Sequence, residues 1–380
     1  MNKQGQHKVI WFLWANPKAT ASSRIQGLAI HSKLKELGYN SCIAYVPTSF
    51  ERTIPLRIAA QKHFIKLVNS GDLVILQKCK DDSNLPTIAF MKEIGLNIIL
   101  VDCDLPLALA VGMAVDRIIC SSQLLCDNYS NHGIQSHYIE DAPEWYVKRT
   151  ATIEKSRLKC FWFGDGSDQR WSNVEKLKNI LKDPRLSRWE LVTISNHTDA
   201  TIPWRPDYLK TLSEHADAIA LPIFTDEEAS SYKSANRLLQ SMALSLPTIC
   251  SPILAYQNIA AQAKGMIVCK TNEEWVNAFV ALEDTATRHR LATEAFESAQ
   301  KFNLDYRIQE WIDVLTLDEN FKTDQRNQKL EKQISNFFYI QLIRHNIRYF
   351  FRVPFSLQSI KSALHYFLIT KLGGFTKNLR

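Results

Sequence analysis

Residues 230–252 read SSYKSANRLLQSMALSLPTICSP, and Lys233, Ser234, Asn236 and Arg237 crowd the opening turn of an otherwise apolar helix. Cations at that end oppose the helix dipole, whose amino terminus favours anions. The opposition disappears when an anion binds there. With Ser234 as N-cap the helix begins at Ala235 and buries Leu238, Leu239, Met242 and Leu246 along one face. Lys233, Asn236 and Arg237 are left to face outward. Free backbone N–H groups, a lysine point charge and a forked guanidinium then form a cradle for a diphosphate.

Three other segments carry candidate chemistry. NPKATASSRIQG (16–27) is a small-residue loop running into a helix, where Ser22, Ser23 and Arg24 could meet an anion or serve as cap and surface groups. FGDGSD (163–168) follows an apolar run, and Gly164 and Gly166 allow close approach of a ligand to the backbone. FTDEEASSY (224–232) supplies Asp226, Glu227 and Glu228, any of which could face a sugar. Asp102 and Asp104 alternate at a strand end and point to opposite faces, so they are not a working pair; helix capping is the expected role of a lone strand-end aspartate. The carboxylates of YIEDAPE (138–144) read as structural. No G-x-G-x-x-G occurs, which removes the main support for a dinucleotide-dependent oxidoreductase.

These segments need elements to hold them. HKVIWFLWA (7–15), YNSCIAYVP (39–47), GDLVILQK (71–78), NIILVDC (97–103), DRIICSS (116–122) and SHYIED (136–141) read as strands. Helix-period segments, one of them near 55–69, separate them. Strands without period-two alternation, separated by helices, indicate a parallel sheet covered on both faces. A polar stretch, 142–157, breaks the pattern as an interdomain linker. It restarts with LKCFWFGDGSD (158–168), WELVTIS (189–195), ADAIALPI (216–223), PTICSP (247–252) and GMIVCK (265–270). The fold class is α/β, with two doubly wound sheets facing a cleft. Expected domains are 1–141, 158–318 and a helical tail, 319–380.

At 380 residues the chain is long enough for two such cores. There is no signal-peptide-like start and no run of 18 apolar residues. Its 8 cysteines form no C-x-x-C pair and lie mostly in apolar runs, which reads as a reduced, cytosolic protein. Net charge is +7, but residues 321–380 hold 11 Lys+Arg against 2 Asp+Glu, leaving 35 against 37 elsewhere. The basic excess belongs to the tail. There FFYIQLIRHNIRYFF (337–351) sets Phe337, Ile340, Ile343, Ile347 and Phe350 against Arg344, His345 and Arg348, and a second amphipathic run follows Pro354. Such helices lie in the plane of an anionic membrane or pack on protein; nucleic acid is not the expected partner.

The two-domain alternation, DRIICSS, YIEDAPE, FWFGDGSD and ALPI…YKSANRLLQSMALSLPTICSP resemble the GT-B-fold glycosyltransferases, especially the retaining family 4-like enzymes of bacterial polysaccharide and capsule synthesis, over about residues 7–318. The resemblance implies transfer of a sugar from a nucleotide diphosphate sugar to a saccharide or lipid-linked acceptor. Lys233, Ser234, Asn236 and Arg237 would hold the diphosphate, with Gly164 and Gly166 near phosphates or sugar and Gln240 on the ribose. Residues 16–24, with Ser22, Ser23 and Arg24, would face the acceptor. The paired glutamates of that group fall on Tyr232 and Gln240, so Glu227 or Glu228 would have to take the acid role. No cofactor or metal is implied. Two rivals are a polyol-phosphate transferase acting on a cell-wall polymer and a non-catalytic nucleotide- or glycan-binding member of the fold.

Overall fold

A computed structural model describes residues 7–18, 20–47, 68–106, 108–149, 153–205, 207–224 and 228–315. Met1–Pro55 and Asn69–Asp324 belong to one compact unit, within which both sheets lie. The helix expected near 55–69 and the basic tail fall almost wholly outside the described residues.

The first lobe contains β1 (Val9–Leu13), β2 (Ser41–Tyr45), β3 (Leu73–Gln77), β4 (Asn97–Asp102), β5 (Arg117–Cys120) and β6 (Ser136–Tyr138). All pair in parallel, in the order β2-β1-β3-β4-β5-β6. Strands such as VIWFL and LVILQ are buried at every position, as a sheet covered on both faces requires. The covering helices are α1, α2 (Leu85–Glu93), α3 (Leu109–Ala114) and α4 (Gln123–Asn131). α1 winds as α over Ala21–Ser23, as π over Arg24–Ala29 and as α again over Ile30–Glu36. Gly27 lies against the Leu13 side chain, so a larger residue would push the helix off β1.

The second lobe contains β7 (Leu158–Phe163), β8 (Trp189–Ser195), β9 (Ile202–Pro203), β10 (Ala218–Leu221), β11 (Thr248–Cys250) and β12 (Met266–Val268). These are parallel too, in the order β12-β11-β10-β7-β8-β9. β9 has no counterpart among the expected strands. It is 2 residues long and includes a proline, which only a sheet edge tolerates. Helices here are α5 (Asp168–Ile180), α6 (Tyr208–His215), α7 (Glu228–Ser231), α8 (Asn236–Ala243), α9 (Leu254–Ala260), α10 (Asn272–Ala281) and α11 (Thr285–Ala299), followed by α12 (Leu304–Leu315).

Although α12 follows the second sheet in sequence, it packs on the first. Ile308, Trp311, Ile312, Val314 and Leu315 join the core formed by Val9, Trp11, Ile75 and Ile99. The Trp11 and Trp311 rings lie 6.1 Å apart, and Arg117 donates to the Val314 carbonyl at 3.2 Å. The chain therefore crosses between lobes twice, once through residues 142–157 and once on entering α12.

Candidate active site

In open parallel sheets ligands bind beyond the carboxyl ends of the strands, where strand order reverses. Residues just past β1, β3, β4, β7 and β8 all line a single cleft of about 1120 Å³ between the lobes. On the second lobe the order reverses between β7 and β10, and α8 starts there. Lys233, Ser234, Asn236, Arg237 and Gln240 line the cleft, as do Gly164, Ser22 and Arg24. Gly166 and Ser23 do not.

α8 begins at Asn236, one residue later than expected. Its N-cap position is Ala235, and no side chain caps it. Ser234 is not the cap; its side chain lies beside the Asp141 carboxyl instead. The first turn is therefore open to an external acceptor. Arg237 Nη1 lies 3.4 Å from the Phe163 carbonyl at the end of β7. The buried Tyr256 lies against the same guanidinium. A Cβ added to Gly164 would sit 3.1 Å from that Nη1 and 3.1 Å from the Trp162 ring, so the missing side chain leaves Arg237 its room. Gly166 has a different reason to be small: it is packed on the His197 backbone and Ser195, and its N–H bonds Asn196 Oδ1 at 2.6 Å.

Other expected ligand groups are engaged within the protein. Gln240 is buried, its Oε1 accepting from the Glu144 and Trp145 N–H groups at 2.7 and 3.2 Å and its Nε2 donating to the Trp145 carbonyl at 2.8 Å. It holds the interlobe crossing. Arg24 makes a two-pronged ion pair with Glu144, at 2.7 and 3.1 Å, and also donates to the Pro17 carbonyl. Ser23 is buried and donates to Gln77 Oε1 at 3.0 Å. Tyr232 faces the first lobe rather than the cleft: Ser122 Oγ donates to its carbonyl at 2.8 Å and Asn128 to its hydroxyl at 3.4 Å. Glu227 lies outside the described residues. Glu228 opens α7, and its side chain is likewise outside the description.

Two acids at the entry to the crossing are buried. Burial raises Glu140 to about 7, helped by the neighbouring Asp141 and opposed by the Tyr138 hydroxyl that bonds it. Burial likewise lifts Asp141 to about 6, against the hydrogen bond from Gln26 Nε2 at 2.9 Å.

The first lobe brings to the cleft Lys78 and Lys80, which sequence reasoning passed over, and Asp104, which it read as a helix cap. Lys78, just beyond β3, pairs with Asp104, just beyond β4, at 2.7 Å and lies 4.7 Å from the Trp14 ring centroid. Burial raises the Asp104 carboxyl, but Lys78 more than reverses this, with Lys80 and Arg170 beyond, and the group is held below its usual range. A second pair joins Lys80, also on the cleft wall, to the fully buried Asp102 at 2.8 Å. Tyr129 donates to the other Asp102 oxygen at 2.6 Å, and Lys80 also donates to the Leu105 carbonyl at 2.8 Å. Neither aspartate caps a helix. The only signal in the sequence was position, one or two residues past a strand end.

No protein-family model matches the chain, and no curated protein matches it at a significant level. Solved structures do match its fold. HepE of Anabaena, solved in complex with UDP and glucose, superposes with a TM-score of 0.60 at 10% identity, over 82% of this chain and 99% of that one. WaaG, a glycosyltransferase involved in lipopolysaccharide biosynthesis, gives 0.56 at 13% identity over 82% and 100%. WaaB, a lipopolysaccharide outer core galactosyltransferase, gives 0.55 at 13% identity over 81% and 99%. Two six-stranded parallel sheets flanking a cleft, in this arrangement, are the GT-B fold.

Proposed function

We propose that this chain is a glycosyltransferase that takes a hexosyl unit from a nucleoside diphosphate sugar and adds it to a saccharide or lipid-linked acceptor of a bacterial surface polysaccharide. The observation that carries the reading is the Arg237 guanidinium at the uncapped start of α8, beside Gly164 at the reversal of strand order. A leaving diphosphate placed there meets helix N–H groups, a forked cation and the Lys233 side chain, so charge developing on its oxygens is stabilised by groups already in position. The likeness in fold to HepE, solved with UDP and glucose, supports a uridine nucleotide. Retention of anomeric configuration belongs to the same proposal and rests on the resemblance of sequence motifs.

Calorimetry with UDP, GDP, ADP and CDP tests the cradle. One diphosphate is expected to bind at least about tenfold more tightly than its monophosphate, which lacks the second group for Arg237 and the helix end. Failure of all four to bind overturns the reading. A second reading, binding without turnover, is favoured by one observation: the two positions where paired glutamates would fall hold Tyr232 and Gln240, and both side chains are engaged within the protein. Donor hydrolysis or transfer by a chain that binds diphosphate eliminates it.

Peripheral membrane association through residues 337–371 is part of the proposal. Among the described residues no helix is long and apolar enough to cross a membrane. Co-sedimentation with vesicles of anionic lipid tests the tail. Retention that survives truncation after residue 330 removes the tail from the proposal.

A further inference from the structure

We propose that Trp14, Lys78 and Asp104 form a saccharide subsite on the first-lobe rim of the cleft, and that it receives an uncharged hexose unit of the acceptor. The inference rests on the glycosyltransferase reading and deepens it.

Trp14, Lys78 and Asp104 follow β1, β3 and β4, which are neighbours in the sheet, and all three line the cleft. Lys78 is the hub, 2.7 Å from the Asp104 carboxylate and 4.7 Å from the centre of the Trp14 ring. Its side chain is only 11% exposed, whereas that of Asp104 is 47% exposed. The ammonium therefore fixes the carboxylate from behind while its open side looks into the cleft. Both residues have left-handed backbone, with φ of 56° and 73°, and neither is glycine or asparagine. The chain is turned at two strand ends to bring these side chains together. Holding the strand ends together does not explain it, because a second pair, Lys80 with Asp102, already joins the chain past β3 to the end of β4.

An indole beside an oriented carboxylate and an ammonium suits a sugar. Its C–H face packs on the ring, and its hydroxyls both donate and accept. Charge narrows the class. Arg24 is neutralised by Glu144, Lys78 by Asp104 and Lys80 by Asp102. Asp81 and Asp82, which line the same rim, have no ion-pair partner among the described residues. A uronate or sugar phosphate meets net negative charge there, which an uncharged hexose does not. Arg237, by contrast, serves the diphosphate from the other lobe.

The test is saturation-transfer NMR on the full-length protein with UDP present, using methyl glycosides of glucose, galactose, mannose and N-acetylglucosamine, with glucuronate and glucose 6-phosphate as anionic comparators. Transfer is expected to at least one uncharged glycoside and to neither anion. In Asp104→Asn, which keeps the size of the side chain, that affinity is expected to fall about tenfold or more while UDP affinity stays within about twofold. Trp14→Leu gives a second reading that leaves the ion pair in place. The proposal is overturned if no uncharged glycoside binds the wild type, if the anions bind as well, or if binding survives both variants. Loss of the UDP signal from the wild type itself would instead count against the glycosyltransferase reading.

Discussion

The Arg24 guanidinium holds the Glu144 carboxylate through two bonds, Nε–Oε1 at 2.7 Å and Nη2–Oε2 at 3.1 Å, between residues 120 positions apart. The pair joins the first helix of one lobe to the crossing that leads into the other. Both side chains are mostly buried, at 12% and 13% exposure, so either one left alone keeps a poorly solvated charge. Arg24→Ala is expected to cost about 1–3 kcal/mol of stability. A double-mutant cycle with Glu144→Ala, read by urea unfolding, measures the coupling; additive single effects would show that the pair does not tie the lobes.

Arg237→Ala is expected to weaken binding of the preferred nucleoside diphosphate by about 1.5–3 kcal/mol, the worth of a charge-assisted hydrogen bond. Calorimetry reads it directly. An unchanged dissociation constant would remove Arg237 from the cradle.

The two glycines after β7 separate binding from stability. In Gly164→Ala the new methyl presses on Arg237 Nη1 and the Trp162 ring at 3.1 Å each, and diphosphate affinity is expected to fall several-fold with little change in Tm. In Gly166→Ala the methyl meets the His197 backbone, which has less freedom to move, and destabilisation of about 1–3 kcal/mol is expected. Thermal unfolding and calorimetry on both variants decide; matched effects would mean that the two glycines share one role.

Glu140 and Asp141 give stability a pH dependence of defined sign. Their ordinary values of 4.5 and 3.8 are raised to about 7 and about 6, chiefly by burial. Between about pH 4 and pH 7 the folded chain therefore holds protons that the unfolded chain has released, and stability falls as pH rises through that window. Each group contributes a slope of order 1 kcal/mol per pH unit at most. Glu140→Gln is expected to flatten the decline between pH 5 and 7 in urea unfolding series (the range set by its raised value of about 7). Parallel curves for variant and wild type would contradict the burial argument.

Much of the fold was legible because its signals are local. Wholly apolar runs such as LVILQ and IILVD announce strands of a covered sheet, and Lys233, Asn236 and Arg237 announce an unusual helix start, all within a few residues. What escaped depends on distant partners. Ser234 reads as a cap until Asp141 lies beside it, and Gln240 reads as a ribose ligand until residues 144 and 145 arrive at its amide. Lys78 and Asp104 mean little apart, and become a pair only because β3 and β4 are neighbours. β9 is too short for any periodicity, and the destination of α12 depends on a core 300 residues upstream, where Trp311 meets Trp11.

α8 greets the cleft with its first residue and, at Gln240, is bolted to the strand of chain that passes from lobe to lobe. With 8 residues it is too short to bend between those two attachments. The cradle at the helix start and the chain that passes between the lobes therefore bear on one short, stiff element.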